Sequence, residues 1–334
     1  MNTIGKAFRI SLFGESHGQG IGVVIDGCPA GLPLKPLDFA PDLRRRHGEG
    51  PWVTGRREPD EPLILSGVHR ETTTGAPLAV YFENRDARSD EYLRRGTRVP
   101  RPGHADFTAR QKFGGFNDPR GGGMFSGRLS VALVAAGVVA KKIIHPVEVE
   151  AEVLEIGGSK DFEAVLARAV QAKDSVGGLI ECRIKGAPVG LGEPFFDSVE
   201  SMISHLVFSI PGIKGIEFGS GFACSRMPGS ACNDPITDRD GTTATNHAGG
   251  INGGITNGNP VVLRIAVRPT PSIPGPQESV DLESGDRVNL EVGGRHDICF
   301  AVRIPVILEA AAAIVFADLM ILQQAIPRVR GVDK

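Results

Sequence analysis

The sequence predicts an α+β fold, with helices and strands in separate layers, and three observations carry that prediction. Strand-like and helix-like segments follow one another without the regular alternation that a doubly wound parallel sheet requires. Several segments alternate apolar and polar residues with the period of a half-buried strand, while others carry apolar residues at helical spacing behind recognisable caps. The 44 Gly and 24 Pro gather at particular places instead of along a linker, so long loops belong to the architecture.

IGVVID (21–26) alternates as a strand does, and so does LIECRIKG (179–186), with Ile180, Cys182 and Ile184 on one side. In NPVVLRIAVRP, Val261, Leu263, Ile265 and Val267 share a face. Ser126 is placed to cap a helix whose apolar body, SVALVAAGVVAKKII, stops before Pro146, with Lys141 and Lys142 near its negative end. Asp161 caps DFEAVLARAVQAK, which sets Phe162, Val165, Leu166, Ala169 and Val170 on one side, and Ser198 caps VESMISHLVF. Pro305 stands where a first-turn proline is tolerated before VILEAAAAIVFADLMILQQA.

With 334 residues and 41% hydrophobic content the chain can bury a sizeable core, and without a fixed-period repeat or a low-complexity tail it reads as a single domain, 1–334. The 37 Lys plus Arg against 39 Asp plus Glu give a formal charge of -2, which offers no global field to nucleic acid or an anionic membrane. An anion site must therefore come from local clustering. The five Cys, at 28, 182, 224, 232 and 299, form no CxxC pair and no metal-ligand spacing, so the expectation is reduced thiols in the cytoplasm, with neither disulfide nor metal. The first residues, MNTIGKAFRIS, lack the apolar centre of a signal peptide. The longest apolar stretch, Pro305 to Leu322, is interrupted by Glu309 and Asp318, and reads as a buried helix instead of a membrane span.

Arginine is concentrated where glycine is: RRRHGEG at 44–50, RRE at 56–58, RPGHAD at 101–106 and PRGGGMFSGR at 119–128. In the last of these, three glycines let a ligand approach the backbone, Ser126 opens a helix whose free N–H groups favour an anion, and Arg128 adds a fork of donors. That outlines a phosphate or carboxylate site, although a tight turn with solvated arginines would read the same way. No Gly-Lys-Ser or Gly-Lys-Thr follows the glycines, which excludes a P-loop, and no dinucleotide fingerprint is present.

His17 in GESHG, His104 in RPGHAD and His296 in GGRHD all lie in Gly-containing turns beside Arg or carboxylate neighbours. An imidazolium near Arg and phosphate suits a general acid that protonates a departing phosphate. Asp297 either accepts a proton, orients a partner or forms an ordinary ion pair. His47, His69, His145, His205 and His247 lack comparable support. TNHAGGINGGITNG (245–258) leads to a strand followed by Arg268, Pro269, Thr270, Pro271 and Ser272, whose amides and hydroxyls suit a second planar or phosphorylated ligand. These residues alone point to an enzyme with two anionic ligands and acid–base histidines, the reaction being open.

GESHG, RREPD, RPGHADFT, GGGMFSGR, NHAGGINGG, RPTPSI and GRHDICFAVRIPVILEAAAAIVFAD, in that order from residue 3 to about 325, resemble the chorismate synthase family. The resemblance implies a sandwich of antiparallel sheets around helices, assembled as a homotetramer. It implies the 1,4-anti-elimination of phosphate and a ring proton from 5-enolpyruvylshikimate 3-phosphate to give chorismate, on reduced FMN and without net redox change. His17 would then protonate the substrate phosphate, with Ser16 beside it in the proton relay. His104 would protonate the flavin near N1, Ser126 would lie near the flavin and His104, and Asp297 would, with flavin N5, remove the ring proton. A substrate with a phosphate and two carboxylates needs paired cations, for which the choices are Arg45, Arg101, Arg128 and Arg295. FMN would lie against Met124, Phe125, Ser126, Gly253, Arg268, Pro269, Thr270, Pro271, Ser272 and Arg295.

The chain departs from the family pattern at three places. Its basic loop is short and has Pro51 where a second arginine is usual, with Arg44 or Arg46 available to replace it. Met124 stands in place of an arginine, and Pro211-Gly212 in place of an Asn-Ala pair associated with flavin binding. Its shortness implies a monofunctional enzyme supplied with reduced FMN by an external reductase. The rival readings are a flavin-independent phosphate-releasing hydrolase and an Arg/Gly-rich RNA-binding module. The charge of -2 and 6% aromatics count against the second.

Overall fold

Two segments, Ser130–Ile144 and Ile304–Ala325, are apolar almost all round, and a helix of that kind has no broad face to give to water. The computed structural model places both in the middle of the molecule. It describes residues 2–48, 50, 52–53, 56, 58–87, 98–293 and 296–325, so Arg295 and Pro51, singled out above, lie outside the described residues.

The strands that frame these helices are β1 (Thr3–Ile4), β2 (Arg9–Gly14), β3 (Gly20–Asp26), β4 (Leu63–Ser66), β5 (Leu78–Glu83), β6 (Glu148–Ile156), β7 (Gly178–Lys185), β8 (Ile213–Phe218) and β9 (Val261–Val267). The helices are α1 (Ala40–His47), α2 (Asp106–Phe113), α3 (Ser130–Ile144), α4 (Phe162–Gln171), α5 (Val199–Val207) and α6 (Ile304–Ala325). One sheet has the order β1-β2-β3-β5-β4 and the other β8-β9-β7-β6, with antiparallel pairing throughout both. Helix α3 packs on the first sheet, α6 on the second, and the two helices pack on each other, giving layers of sheet, helix, helix, sheet. This is the α+β sandwich that the sequence predicts.

The helices approach closely at Gly137 of α3 and Ala310 of α6, where a Cβ added to the glycine would lie 2.2 Å from Ala310 Cβ. Along β9 the expected face, Val261, Leu263, Ile265 and Val267, is buried. Asp161 and Ser198 cap α4 and α5 as anticipated, their side chains accepting from the amides of Ala164 and Ser201. Ser126 also caps, accepting from Arg128 N, but a 3-10 turn at Gly127–Leu129 intervenes and α3 itself begins at Ser130.

Both charges that interrupt the apolar run of α6 are satisfied. Asp318, buried, accepts the amides of Lys6, Ala7 and Phe8 at 2.6–3.0 Å and so ties the start of β2 to the central helix. Glu309, also buried, accepts from Arg45 Nη2 at 2.6 Å, Lys141 Nζ at 2.7 Å and the amide of Ala151 at 3.0 Å. Residues Phe300–Gln323 are long and apolar enough to cross a membrane on their own, but 83% of that window is buried inside the fold.

Candidate active site

Segments far apart in the chain converge on one cleft of about 900 Å³: the β2–β3 turn, the end of α1, the loop before α2, the glycine run before α3, the residues leading into β8, those following β9, and those preceding α6. That volume is near the upper end of the roughly 300–1,000 Å³ usual for ligand sites, which suits two small ligands side by side.

GESHG is the turn that joins β2 to β3, with Gly14 and Ile21 closing the ladder. It is fastened to the glycine run by a bond from Ser16 N to Gly123 O at 3.1 Å. Gly121, Gly122 and Gly123 all take positive φ, of 59, 85 and 52°, a conformation open to glycine at little cost. The missing side chains are also required sterically. A Cβ on Gly121 would lie 2.4 Å from His17 Cδ2 and 2.8 Å from Ser16 Oγ, and one on Gly122 would lie 3.3 Å from His104 Nε2. Two imidazoles thus rest on consecutive glycines, one from the β2–β3 turn and one from RPGHAD.

Beside them stands a cluster of cations built on one carboxylate. Asp60, from RREPD, is buried; its Oδ2 receives Arg46 Nη2 at 2.6 Å and lies 3.1 Å from His47 Nε2, and its Oδ1 receives Arg128 Nη1. Burial pushes the Asp60 carboxyl up, but the hydrogen bond with His47 and the charges of Arg46 and Arg128 outweigh it and hold the group well below the usual carboxylate range. Arg46 is pushed down to about 10 by burial first; the charge of Asp60 opposes this, while Arg303 and Arg128 add repulsion. Its Nε is buried with no hydrogen-bond partner among the described residues. Arg56 donates to Ser16 Oγ at 2.8 Å and pairs with Glu58 at 2.7 Å.

At the opposite side, one nitrogen of Arg303 lies 3.2 Å from both oxygens of Asp297, while Arg303 Nε donates to Arg46 O at 2.7 Å. His296 lines the cleft too, its Nε2 being 2.9 Å from Gly293 O. The segment Arg268–Ser272 forms another wall, held by bonds from Arg268 N to Gly212 O at 2.9 Å and from Arg268 Nη2 to Gly103 O at 2.7 Å.

Of the residues that sequence reasoning selected, Ser16, His17, Arg101, His104, Met124, Phe125, Ser126, Arg128, Arg268, Pro269, Thr270, Pro271, Ser272 and Asp297 all line this cleft. Among the described residues, Arg45 and Gly253 do not. Arg45 faces Glu309, because one residue along a helix turns the side chain by about 100° and Arg46 takes the cleft side. Gly253 occupies the turn of a hairpin, Ile251–Asn252 with Ile255–Thr256, which docks on residues 190–199 through Val199 N to Gly254 O at 3.0 Å and Thr256 N to Leu191 O at 2.9 Å. The reading missed His47, Lys214 and Arg303, which line the cleft from a helix end, a strand and a turn before a helix. For His47 the signal was present, since it closes RRRH one helical residue beyond Arg46.

A cleft in which buried guanidiniums surround one carboxylate, and two imidazoles rest on a glycine backbone, defines an enzyme that moves protons on an anionic small molecule. The sequence model of chorismate synthase matches residues 8–321. The chorismate synthase of Chitinophaga pinensis is 57% identical over 330 residues, covering 98% of this chain and 99% of that protein. That of Dehalococcoides mccartyi strain BAV1 is 42% identical over 360 residues, covering 98% and 99%. A crystal structure of chorismate synthase superimposes with a TM-score of 0.75 at 26% identity, covering 96% of this chain and 93% of that one. The chain belongs to the chorismate synthase family, and with it to the lyases of the shikimate pathway.

Proposed function

We propose that this chain converts 5-enolpyruvylshikimate 3-phosphate into chorismate by 1,4-anti-elimination of phosphate and a ring proton, with reduced FMN bound beside the substrate. The observation that carries this reading is the placement of His17 and His104 on adjacent glycines next to the Asp60-centred cations. Arg46, Arg128 and Arg56 would hold the substrate's phosphate and carboxylates, since all three line the cleft. His17, as imidazolium, would give its proton to the departing phosphate, with the Ser16 hydroxyl beside it. Asp297, kept in place by Arg303, would accept the ring proton.

The residues fit a flavin. Thr270 Oγ1 is buried with no hydrogen-bond partner among the described residues. Pro269, Pro271 and Phe125 offer apolar surface beside it, Met124 and Ser126 adjoin them, and Lys214 and Arg268 are cations suited to a phosphate. Reduced FMN bound there would supply an electron-rich ring beside the allylic system, with no net redox change. Pro211 and Gly212 also line the cleft, so the departures at Met124 and at Pro211-Gly212 fall where the cofactor would sit. We further read residues 1–334 as one domain, assembled as a homotetramer in the cytoplasm and supplied with reduced FMN by a separate reductase. The five cysteines, all free thiols, suit a reducing compartment.

An anaerobic assay with 5-enolpyruvylshikimate 3-phosphate and dithionite-reduced FMN, following chorismate absorbance and phosphate together, tests the reaction. One phosphate per chorismate, with reduced and not oxidised flavin, is the expected result. Phosphate without chorismate would replace the proposal by the hydrolase.

A further inference from the structure

We infer that Asp106 is the positioning residue of the cleft: it holds His104 in the tautomer protonated at Nδ1, and so fixes Nε2 as the atom at which His104 exchanges protons. The carboxylate, in the first turn of α2, is approached by both Arg101 and His104. Its Oδ2 accepts from the amide of Arg101 at 3.0 Å and from Arg101 Nε at 2.8 Å. Its Oδ1 accepts from Arg101 Nη2 at 2.8 Å and lies 2.7 Å from His104 Nδ1.

An ionised carboxylate can only accept, so a 2.7 Å approach to Nδ1 requires the proton on Nδ1; the other tautomer would set lone pair against lone pair. Burial raises the Asp106 carboxyl, but the hydrogen bonds from Arg101 and His104 outweigh it and keep the group well below the usual carboxylate range, so it is ionised at neutral pH. Arg101 Nη2 also stands 3.1 Å from His104 Nδ1; one of its two hydrogens goes to Oδ1, and the closer 2.7 Å approach of the carboxylate, which needs the proton on Nδ1, leaves no lone pair there for the other.

Nε2 is then the ring nitrogen remote from Asp106, turned onto Gly122, where a Cβ would approach it to 3.3 Å. Neutral His104 accepts at that atom and imidazolium donates from it, without a ring flip. Arg101 Nη1 continues the chain to Ser272 Oγ at 3.3 Å, so the loop that carries His104 is tied to the wall formed by Arg268–Ser272. Arg101, expected to hold substrate, belongs to this positioning unit through its Nε and Nη2. The inference rests on the proposed function only for which ligand meets Nε2; the tautomer stands independently of it.

Long-range proton–nitrogen NMR of the histidine-labelled protein, with His104→Gln to assign the signals, reads the tautomer directly. A neutral His104 ring protonated at Nδ1 is expected, and a ring protonated at Nε2 would overturn the inference. In Asp106→Asn, the amide oxygen faces the two donors of Arg101 and its NH2 faces Nδ1, so His104 should change to the Nε2–H tautomer. The turnover number should then fall about 10²-fold while KM for the substrate stays within about threefold, with partial recovery in Asp106→Glu. A folded Asp106→Asn with unchanged tautomer and turnover would equally overturn it. Should that variant not fold, the spectrum of the unsubstituted protein decides alone, whether or not the proposed reaction is the right one.

Discussion

Arg46 Nη2 lies 2.6 Å from Asp60 Oδ2, and the two side chains are 3% and 1% exposed. A pair so buried persists only because each partner relieves the other's loss of water. Arg128 shares the same carboxylate, which leaves more positive than negative charge in the wall of the cleft. An anionic ligand would complete the balance, and that would link the packing of this pair to what the cleft binds.

Replacing Asp60 by Asn should cost about 3–5 kcal/mol at neutral pH, because two buried guanidiniums lose their counter-charge. Its folded carboxyl lies below the unfolded value of about 3.9, so the folded state binds fewer protons there. The stabilisation is therefore complete above that value and is lost as pH falls further. Urea unfolding of both proteins from pH 7 to pH 3 should show the difference narrowing below about pH 4. A constant difference would mean that Asp60 acts by packing alone.

Arg45 and Arg46 are adjacent in RRRH yet should separate cleanly. Arg45→Ala removes a partner of buried Glu309 and should lower stability by roughly 1–3 kcal/mol, leaving KM within about twofold. Arg46→Lys, which keeps charge but loses the fork that reaches Asp60, should raise KM by tenfold or more, the order of one charged contact. Steady-state kinetics with thermal unfolding of both variants provides the check, and the reverse pattern would place Arg45 in the cleft.

Gly121→Ala should act on the reaction more than on the fold. The new methyl would meet the ring of His17 at 2.4 Å, and the ring can swing where backbone cannot, so His17 would be displaced from its place by Ser16. The strained left-handed φ adds about 1–2 kcal/mol of destabilisation. Chorismate formation should fall about 10²-fold, as a misplaced catalytic group predicts. Wild-type turnover in this variant would show that His17 need not rest on the glycine backbone.

His17→Ala should reduce chorismate formation by roughly 10²-fold or more, the scale of lost acid catalysis. Substrate affinity, measured by equilibrium binding without turnover, should largely survive because Arg46, Arg128 and Arg56 remain. An unchanged rate would remove His17 from the mechanism.

The sequence by itself determined the elements and much of the chemistry. Alternation located β9, Asp161 and Ser198 marked two helix starts, and an apolar run with two isolated charges gave the central helix, because these signals depend on neighbours within a turn or two of chain. Glycine flanking His17 and His104 was legible for the same reason. Only the tertiary structure decided that Arg46 and not Arg45 enters the cleft, that the AGGINGG turn is a packed hairpin, that Asp60 unites Arg46 with Arg128, and that Asp106 sets the tautomer of His104. Each of these depends on which way a side chain turns and on what a remote segment brings to meet it. Local pattern carries neither, since a rotation of one helical residue redirects a guanidinium from a structural ion pair to the cleft.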